Sequence, residues 1–419
     1  MSRVFYGWVV LGGLCLAYAA SNGILLSALP LFYPSLIDEF GWTESQVTQP
    51  AALSFLATAI FSLFVGFLVD KFKPRILMIA GSAVYVCVLV VLSSITTLTQ
   101  MSALYVGISV ALSLNGILPS MVVASRWFAK YRGVAVGILL MSSSLGGAIM
   151  PPIIAPVIEA EGWRVACMVV AGIGLFMMVL PCIFLVRNDP SEAQTVPDGR
   201  SFEMDESQPE VKGKLAGISV RDAMKSPMFY LLAFATGVMW FCITGVVQHQ
   251  SIYLVRDVGI SLKDFSNALV LYFVSSVIGK FLFGWLSDHF DKASIMMLAT
   301  VNLTVGLVLF SMIKGGSTFS LWAYAVVYGI GFSGAFTMIQ LMIADLFAGP
   351  TYGSILGIFV FIDTLAGAVG IVALGWIKGA AESYIPAIYL MIVLCVAAFT
   401  CVYVIKRTTY RSESVAAST

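Results

Sequence analysis

Two charged side chains lie deep inside long apolar runs of this sequence. Lys280 stands eight residues before Asp288, about 12 Å along a helix, and Asp363 stands midway along the run 354–377. A lone cation in hydrocarbon costs at least about 2.5–3.5 kcal/mol, so Lys280 should face a wet cavity or a partner. We interpret Lys280 either as an anchor for a carboxylate or as one half of a fixed helix–helix ion pair.

Asp363 carries a second chemical possibility. A carboxyl group in apolar surroundings can take up a proton near neutral pH. Asp363 could therefore carry a proton, act as the counter-ion of Lys280, or remain protonated and bond to a neighbouring backbone carbonyl.

Other residues in apolar runs could contact a bound molecule. His249 and Asn115 could each donate a hydrogen bond to a ligand, or could join two helices. Tyr328 and Phe359 could form an apolar wall beside the ligand, although most aromatic residues in membranes pack or anchor at the interface.

The composition indicates what kind of elements must hold these residues. The chain has 419 residues, of which 59% are hydrophobic and only 11% are charged, and its mean hydropathy is +0.96. Soluble domains carry about 25% charged residues, so this chain lacks a soluble protein's surface. The net charge of +1 creates no basic field that would attract nucleic acid. We expect a polytopic membrane protein that does not bind nucleic acid.

The apolar runs predict an all-α membrane protein with twelve transmembrane helices. Each run has about 19–28 residues, enough to cross a hydrocarbon core of about 30 Å. The predicted spans are 7–32, 47–69, 76–95, 102–124, 134–154, 165–186, 228–255, 265–286, 295–313, 319–344, 354–377 and 385–405.

The polar segments predict the domain organisation and the orientation. Residues 187–226 are too polar to bury a core, so we interpret them as a linker between two six-helix bundles, 1–186 and 227–407, followed by a tail, 408–419. Most lysines and arginines of the connecting segments lie on the side that holds both termini. The positive-inside rule therefore predicts cytoplasmic termini.

The two halves share landmarks about 220 residues apart, which indicates an internal duplication. The paired landmarks are Gly41 with Gly259, Asp70 with Asp288, and Gly133 with Gly353. In membrane proteins such a duplication is typical of a transporter whose halves rock about a central site.

Several sequence features argue against enzymatic activity. There is no Gly-x-x-x-x-Gly-Lys-[Ser/Thr] loop for ATP, and the two histidines lack the spacing of zinc ligands. The seven cysteines lie in apolar runs and form no disulfide framework. No nucleophile and base stand in register. We predict no enzymatic activity, no cofactor and no metal.

The motif Gly66-x-x-x-Asp70-Lys71 and the stretch that follows it to Arg75 resemble the signature of the major facilitator superfamily. A degenerate copy runs from Gly284 to Lys292. The resemblance covers the whole chain and implies two pseudo-symmetric six-helix bundles. It also implies that Asp70, Arg75, Arg126 and Asp288 form charge networks that latch the halves in an outward-open state. The alternative for these residues is ordinary positive-inside topology.

A narrower resemblance concerns the segment 126–137, the opening Tyr6-Gly7-Trp8 and the spacing His249-x-x-x-Tyr253-x-x-x-Asp257. These resemble bacterial monocarboxylate transporters, and oxalate/formate antiporters share much of the pattern. Such transporters carry an arginine at the position of Lys280, and animal members carry an aspartate at Ser276. The resemblance implies carboxylate binding in modified form, with Ser276 beside it.

These observations favour a secondary transporter of a small organic anion, most simply a monocarboxylate, which works by alternating access. Lys280 would bind the carboxylate, and Asp363 would carry a symported proton. We expect a monomer in a bacterial inner membrane. An oxalate/formate-type anion exchanger is one alternative, and a non-transporting membrane receptor on the same fold is another.

Overall fold

The computed structural model describes residues 5–128, 131–199, 220–314, 318–347 and 352–416, and in these ranges the regular structure is helical. The long helices are α1 (Tyr6–Phe40), α2 (Glu44–Lys71), α3 (Pro74–Leu92), α4 (Leu98–Trp127), α5 (Arg132–Glu161), α6 (Trp163–Phe184), α7 (Pro227–Asp257), α8 (Leu262–His289), α9 (Lys292–Ser311), α10 (Thr318–Leu346), α11 (Tyr352–Ala381) and α12 (Ile385–Ala416).

The helix lengths confirm the predicted all-α membrane fold. In the described chain, 11 helices are both long and apolar enough to cross a membrane. The remaining long helix, α2, has 28 residues, which suffice to span a hydrocarbon core of about 30 Å.

Proline and glycine explain three interruptions of these helices. A π-helical turn, Ile24–Ala28 in α1 and Leu175–Val179 in α6, comes shortly before Pro30 and Pro181. Proline lacks an amide proton and its ring collides with the carbonyl four residues earlier, so the helix widens there. In α4 the helical segments Leu98–Asn115 and Ile117–Trp127 meet at Gly116, whose backbone is extended.

Equivalent turns precede α2 and α8 in the two halves. Gly41 has φ +64° and Gly259 has φ +78°, a backbone conformation that only glycine adopts without strain. Thr43 then caps α2 by accepting a hydrogen bond from the amide of Gln46, and Ser261 accepts one from the amide of Asp264. The duplicated glycines therefore have the same structural role.

The chain divides into two compact units. The first comprises Met1–Pro209 with Ser261–Val270, and the second comprises Glu210–Ile260 with Leu271–Thr419. The first unit buries a core that includes Val10, Leu14, Met78, Trp127 and Leu139. The boundaries predicted at 186 and 227 stay predictions.

The second unit contains the predicted cation and carboxyl. Its helices pack in the pairs α7 with α11, α9 with α10, and α12 with both α7 and α9. Met239, Leu303, Tyr328, Ile371 and Cys395 are fully buried at these contacts. This packing decides which faces of α7, α8, α10 and α11 point toward one another.

Candidate functional site

Lys280 is half-buried on α8, beside a close approach to α10. The preceding residue, Gly279, lies so near α10 that an added methyl group would overlap the hydroxyl of Ser333. The Lys280 Nζ atom lies 5.4 Å from the ring centroid of Phe336, also on α10. A cation above an aromatic face is attracted by about 0.5–2 kcal/mol, so this ring helps to hold the ammonium inside the unit.

A second aromatic ring continues the site from α10 to α7. The ring centroids of Phe336 and Trp240 are 6.1 Å apart, with the planes at 68°. Both rings are half-buried, whereas most aromatic residues of this unit's interior are fully buried. Phe336 and Trp240 therefore leave part of their apolar surface uncovered by protein.

Asp363 joins the same group of residues through Thr236. Its side chain is only 4% exposed, and its carboxyl group lies beside the hydroxyl of Thr236, one turn before Trp240 on α7. The carboxyl oxygen Oδ1 has no hydrogen-bond partner within the described residues. We call Lys280, Phe336, Trp240, Thr236 and Asp363 the Lys280 cluster. Its members come from α8, α10, α7 and α11 of the second unit.

The position of Asp363 follows from close packing of α7 against α11. A methyl group at Gly370 would overlap the backbone carbonyl of Phe241, so only glycine permits this approach. The Thr244 hydroxyl donates a hydrogen bond of 2.9 Å to the carbonyl of Gly367. Both contacts lie within about two turns after Asp363 in the sequence, and they hold this part of α11 against α7.

His249 uses both ring nitrogens within the protein. Nε2 lies 2.9 Å from the carbonyl oxygen of Ile371 on α11, and Nδ1 lies 2.8 Å from the hydroxyl of Tyr384. Because a carbonyl can only accept, Nε2 donates and Nδ1 accepts from the tyrosine in the neutral ring. A substrate contact by His249, which stays a prediction, requires one of these bonds to be exchanged.

The two residues predicted to form an apolar wall are fully buried in packed clusters. The Tyr328 hydroxyl donates to the carbonyl of Cys242 at 3.2 Å. The Phe359 ring lies 5.0 Å from that of Phe229 and 5.9 Å from that of Phe347. Their surfaces are covered by protein in this structure, and their predicted contact with substrate is untested.

Sequence reasoning missed Trp240, Phe336 and Thr236. Phe336 follows Tyr328 by two helical turns, so a search for residues on one face of α10 would have found it. Thr236 and Trp240 are four residues apart on α7 and share a face for the same reason. Their relation to Lys280 and Asp363 depends on contacts between helices.

Two further predicted contacts are fully buried. Ser276 lies one turn before Lys280 on the same side of α8. Asn115 ends the first segment of α4 in the other unit; its Nδ2 has no hydrogen-bond partner in the described part of the chain, and its Oδ1 lies 3.8 Å from the Cys182 thiol. Substrate contact by either residue stays a prediction.

The predicted latch arginines bond within the first unit. Arg75 donates to the carbonyls of Cys182, at 3.2 Å, and Ile183, where α6 ends. Arg126 pairs with Asp189 at 3.5 Å in an exposed geometry, where an ion pair contributes about 0–1 kcal/mol. The side chains of Asp70 and Asp288 lie outside the described part of the structure. The latch stays a prediction for all four residues.

The first residues of the predicted linker fold onto the first unit. Asn188 accepts a hydrogen bond from the amide of Arg75 at 3.0 Å, and its side chain bonds to Glu192 at 2.9 Å. Burial raises the pKa of Glu192, but hydrogen bonds from Asn188 and the charges of Lys73 and Arg75 bring this pKa below its ordinary value. The linker thus begins as ordered structure.

A family model described as the Major Facilitator Superfamily matches residues 10–253 and 229–418. The chain belongs to the major facilitator superfamily. It is a multi-pass membrane transporter of that superfamily and not an enzyme. The chain is similar over 98% of its length to a crystal structure of a bacterial homologue of the human lysosomal transporter Spinster, with a TM-score of 0.72 and 14% identity, covering 99% of that structure. This likeness concerns the fold alone.

Relatives of this superfamily chain come from bacteria and fungi. It is 24% identical over 389 residues to YcxA, an uncharacterized MFS-type transporter of Bacillus subtilis, covering 90% of this chain and 89% of that protein. It is 25% identical over 322 residues to SauU, a probable sulfoacetate transporter of Cupriavidus necator, covering 74% and 71%. It is 28% identical over 317 residues to an agnestins efflux protein of Paecilomyces divaricatus, covering 73% and 65%.

Proposed function

We propose that this transporter carries a small organic anion, most simply a monocarboxylate, by alternating access. The observation that carries the proposal is the ammonium of Lys280, held over Phe336 inside a membrane-spanning unit. A cation at this depth is favoured beside a water-filled path, and a carboxylate that enters such a path carries the opposite charge. One deep cation within a predominantly apolar helix suits one carboxylate better than two.

The half-buried rings of Phe336 and Trp240 suit the apolar body of such an anion. A carboxylate at Lys280 would place its carbon skeleton against these rings, where burial of apolar surface contributes about 25 cal/mol per Å². The similarity to a probable sulfoacetate transporter also supports an organic anion, because sulfoacetate carries a carboxylate and a sulfonate.

In this proposal Asp363 couples a proton to the anion. Its Oδ1 oxygen is buried, and its carboxyl group lies beside Thr236, one turn before the Trp240 ring that packs on Phe336. Protonation would remove the negative charge from the cluster and leave the ammonium as its charged group. The anion would then bind to Lys280 without competition from a second carboxylate.

Exchange in proteoliposomes tests the role of Lys280. Vesicles containing the purified protein would receive labelled lactate, pyruvate, formate, oxalate or an aromatic acid against the same unlabelled anion. Lys280→Ala should lower exchange at least about tenfold, because a charged hydrogen bond contributes about 1.5–3 kcal/mol. Lys280→Arg should retain exchange, because it keeps the cation.

The matched control is Lys263→Ala, which removes an exposed lysine from the same helix. Exchange by this control should equal that of the unmodified protein. Undiminished exchange by Lys280→Ala would contradict the proposal. Preferred exchange of oxalate would favour the antiporter alternative, and binding without exchange would favour a receptor.

A further inference from the structure

Two thiols in the second unit face each other between membrane-spanning helices. The Sγ atoms of Cys242 on α7 and Cys395 on α12 are 3.7 Å apart, and both residues are fully buried. This separation is a van der Waals contact between two sulfur atoms, with a disulfide requiring about 2.05 Å. The pair is distinct from the Lys280 cluster and has no role in the proposed anion binding.

The turn of α7 that carries Cys242 contacts three other helices. The Cys242 carbonyl accepts the hydroxyl of Tyr328 from α10, and the adjacent carbonyl of Phe241 packs against Gly370 of α11. The thiol itself meets α12. Trp240, which belongs to the Lys280 cluster, lies two residues earlier on this turn. A displacement of Cys242 therefore changes the position of Trp240.

We propose that Cys242 and Cys395 form a redox modification site, at which a small neutral peroxide converts the two thiols into a disulfide that joins α7 to α12. A peroxide of this class is small and uncharged, so it can enter an apolar interior from which charged reagents are excluded. The contact between the sulfurs makes the second step intramolecular.

The reaction balances with hydrogen peroxide as the two-electron oxidant. The Cys395 sulfur attacks one peroxide oxygen, the O–O bond breaks, and the thiol proton leaves with the other oxygen as water, so Cys395 becomes a sulfenic acid. The Cys242 sulfur then attacks the sulfenic sulfur. The S–O bond breaks, the S–S bond forms, and the hydroxyl leaves as water with the Cys242 proton.

Closing this bond brings the two sulfurs nearer than their present 3.7 Å contact and fixes the turn of α7 beside Trp240. A cycle that needs α7 to move relative to α12 is then slowed. The disulfide therefore slows transport of any anion that the protein carries, and a thiol reagent that reduces the disulfide restores transport.

Peroxide treatment of the purified full-length protein in proteoliposomes tests the site. After exposure to hydrogen peroxide and blocking of the remaining thiols, peptide mass spectrometry should detect Cys242 linked to Cys395. Exchange of the labelled anion should fall about tenfold, as for a blocked conformational step, and dithiothreitol should restore it. The crosslink itself is measured without any transported substrate, so it stands or falls separately from the proposed function.

Variants separate this site from general oxidation. Cys395→Ala and Cys242→Ala should each keep full exchange after peroxide, whereas Cys87→Ala, which removes an exposed cysteine on α3, should remain sensitive. Failure to detect the crosslinked peptide in the unmodified protein would overturn the proposal. Two results would overturn the proposed slowing of transport by the disulfide. One is peroxide inhibition of Cys395→Ala equal to that of the unmodified protein, and the other is a crosslink that leaves exchange unchanged.

Discussion

At the level of single residues, the surroundings of Lys280 explain why a charged group persists in an apolar helix. The Phe336 ring lies 5.4 Å from its ammonium, and the preceding residue, Gly279, lies close against α10. Lysine presents a compact point charge, whereas arginine presents a planar fork with five donors. A lysine at this position can therefore hold one carboxylate oxygen without imposing a two-point geometry.

Proton coupling by Asp363 can be tested by replacing its carboxyl group with an amide of nearly the same shape. Asp363→Asn keeps the shape of the side chain but cannot carry a proton between aqueous phases. Uptake driven by an imposed pH gradient should be abolished in this variant, whereas exchange of labelled for unlabelled anion should continue. The measurement is initial uptake into proteoliposomes with an acidic exterior, compared with exchange at equal pH on both sides.

Gradient-driven uptake that survives in Asp363→Asn would show that another group carries the proton. Loss of both uptake and exchange would instead place Asp363 in anion binding or folding. The Lys280→Ala variant provides the contrast, since it should lose both activities.

At the level of helices, glycines permit backbone contacts that no other residue allows. On α5, Gly146 lies against α1 so closely that an added methyl group would overlap the carbonyl of Ala19. On α1, a methyl group added at Gly23 would overlap the carbonyl of Gly146 in the same way. Small residues at such contacts are how membrane helices gain packing energy, because lipid is as apolar as the side chains.

Gly146→Ala should therefore destabilise the first unit. The added methyl group meets rigid backbone instead of a flexible side chain, and overpacking of this kind costs about 1–3 kcal/mol. The matched control is Gly137→Ala on the same helix, where an added methyl group has nothing within 4 Å. Thermal unfolding in detergent should show a lower midpoint for Gly146→Ala than for the unmodified protein. The midpoint of Gly137→Ala should be unchanged. Equal midpoints would contradict the assigned α1–α5 contact.

The start of α9 is stabilised by a side-chain cap and an ion pair. Asp291 caps α9 by accepting a hydrogen bond of 2.8 Å from the amide of Ser294, and Lys406 lies 3.8 Å from its carboxylate. Burial raises the pKa of Asp291, yet the Ser294 hydrogen bonds and the charge of Lys406 lower it below its ordinary value. The carboxylate therefore remains charged and retains the cap at neutral pH.

For the whole molecule, the distribution of basic residues predicts that both termini and the segment 187–226 lie in the cytoplasm. Two exposed positions of the full-length protein test this orientation. Glu161→Cys, at the end of α5, should react with a membrane-impermeant maleimide in intact cells. Ser191→Cys, in the segment after α6, should react only after lysis.

Both sites are exposed in the structure, so different burial would not account for a difference in labelling. Labelling of Ser191→Cys in intact cells, with labelling of Glu161→Cys only after lysis, would show the opposite orientation. Labelling of both sites in intact cells would contradict the twelve-span topology, since α6 must separate them.

The helix count, the repeated turns and the two deep charges could be predicted from the sequence. Hydrocarbon leaves backbone groups no partner except those of their own helix, so runs of about 20 apolar residues indicate spans without knowledge of any contact. Gly41 and Gly259 indicate equivalent turns because a left-handed backbone is a local property. Lys280 and Asp363 are conspicuous because charge is rare in such runs.

The partners of those charges could not be predicted, because they depend on which helix faces meet. Close approaches at Gly279 and Gly370 turn α8 toward α10 and α7 toward α11. In the packed unit Phe336 lies beside Lys280, Trp240 lies against Phe336, and Thr236 lies beside Asp363. Packing also buries Tyr328 and Phe359 and engages both nitrogens of His249. Residues far apart in the chain meet through packing of small side chains, which hydrophobic periodicity does not encode.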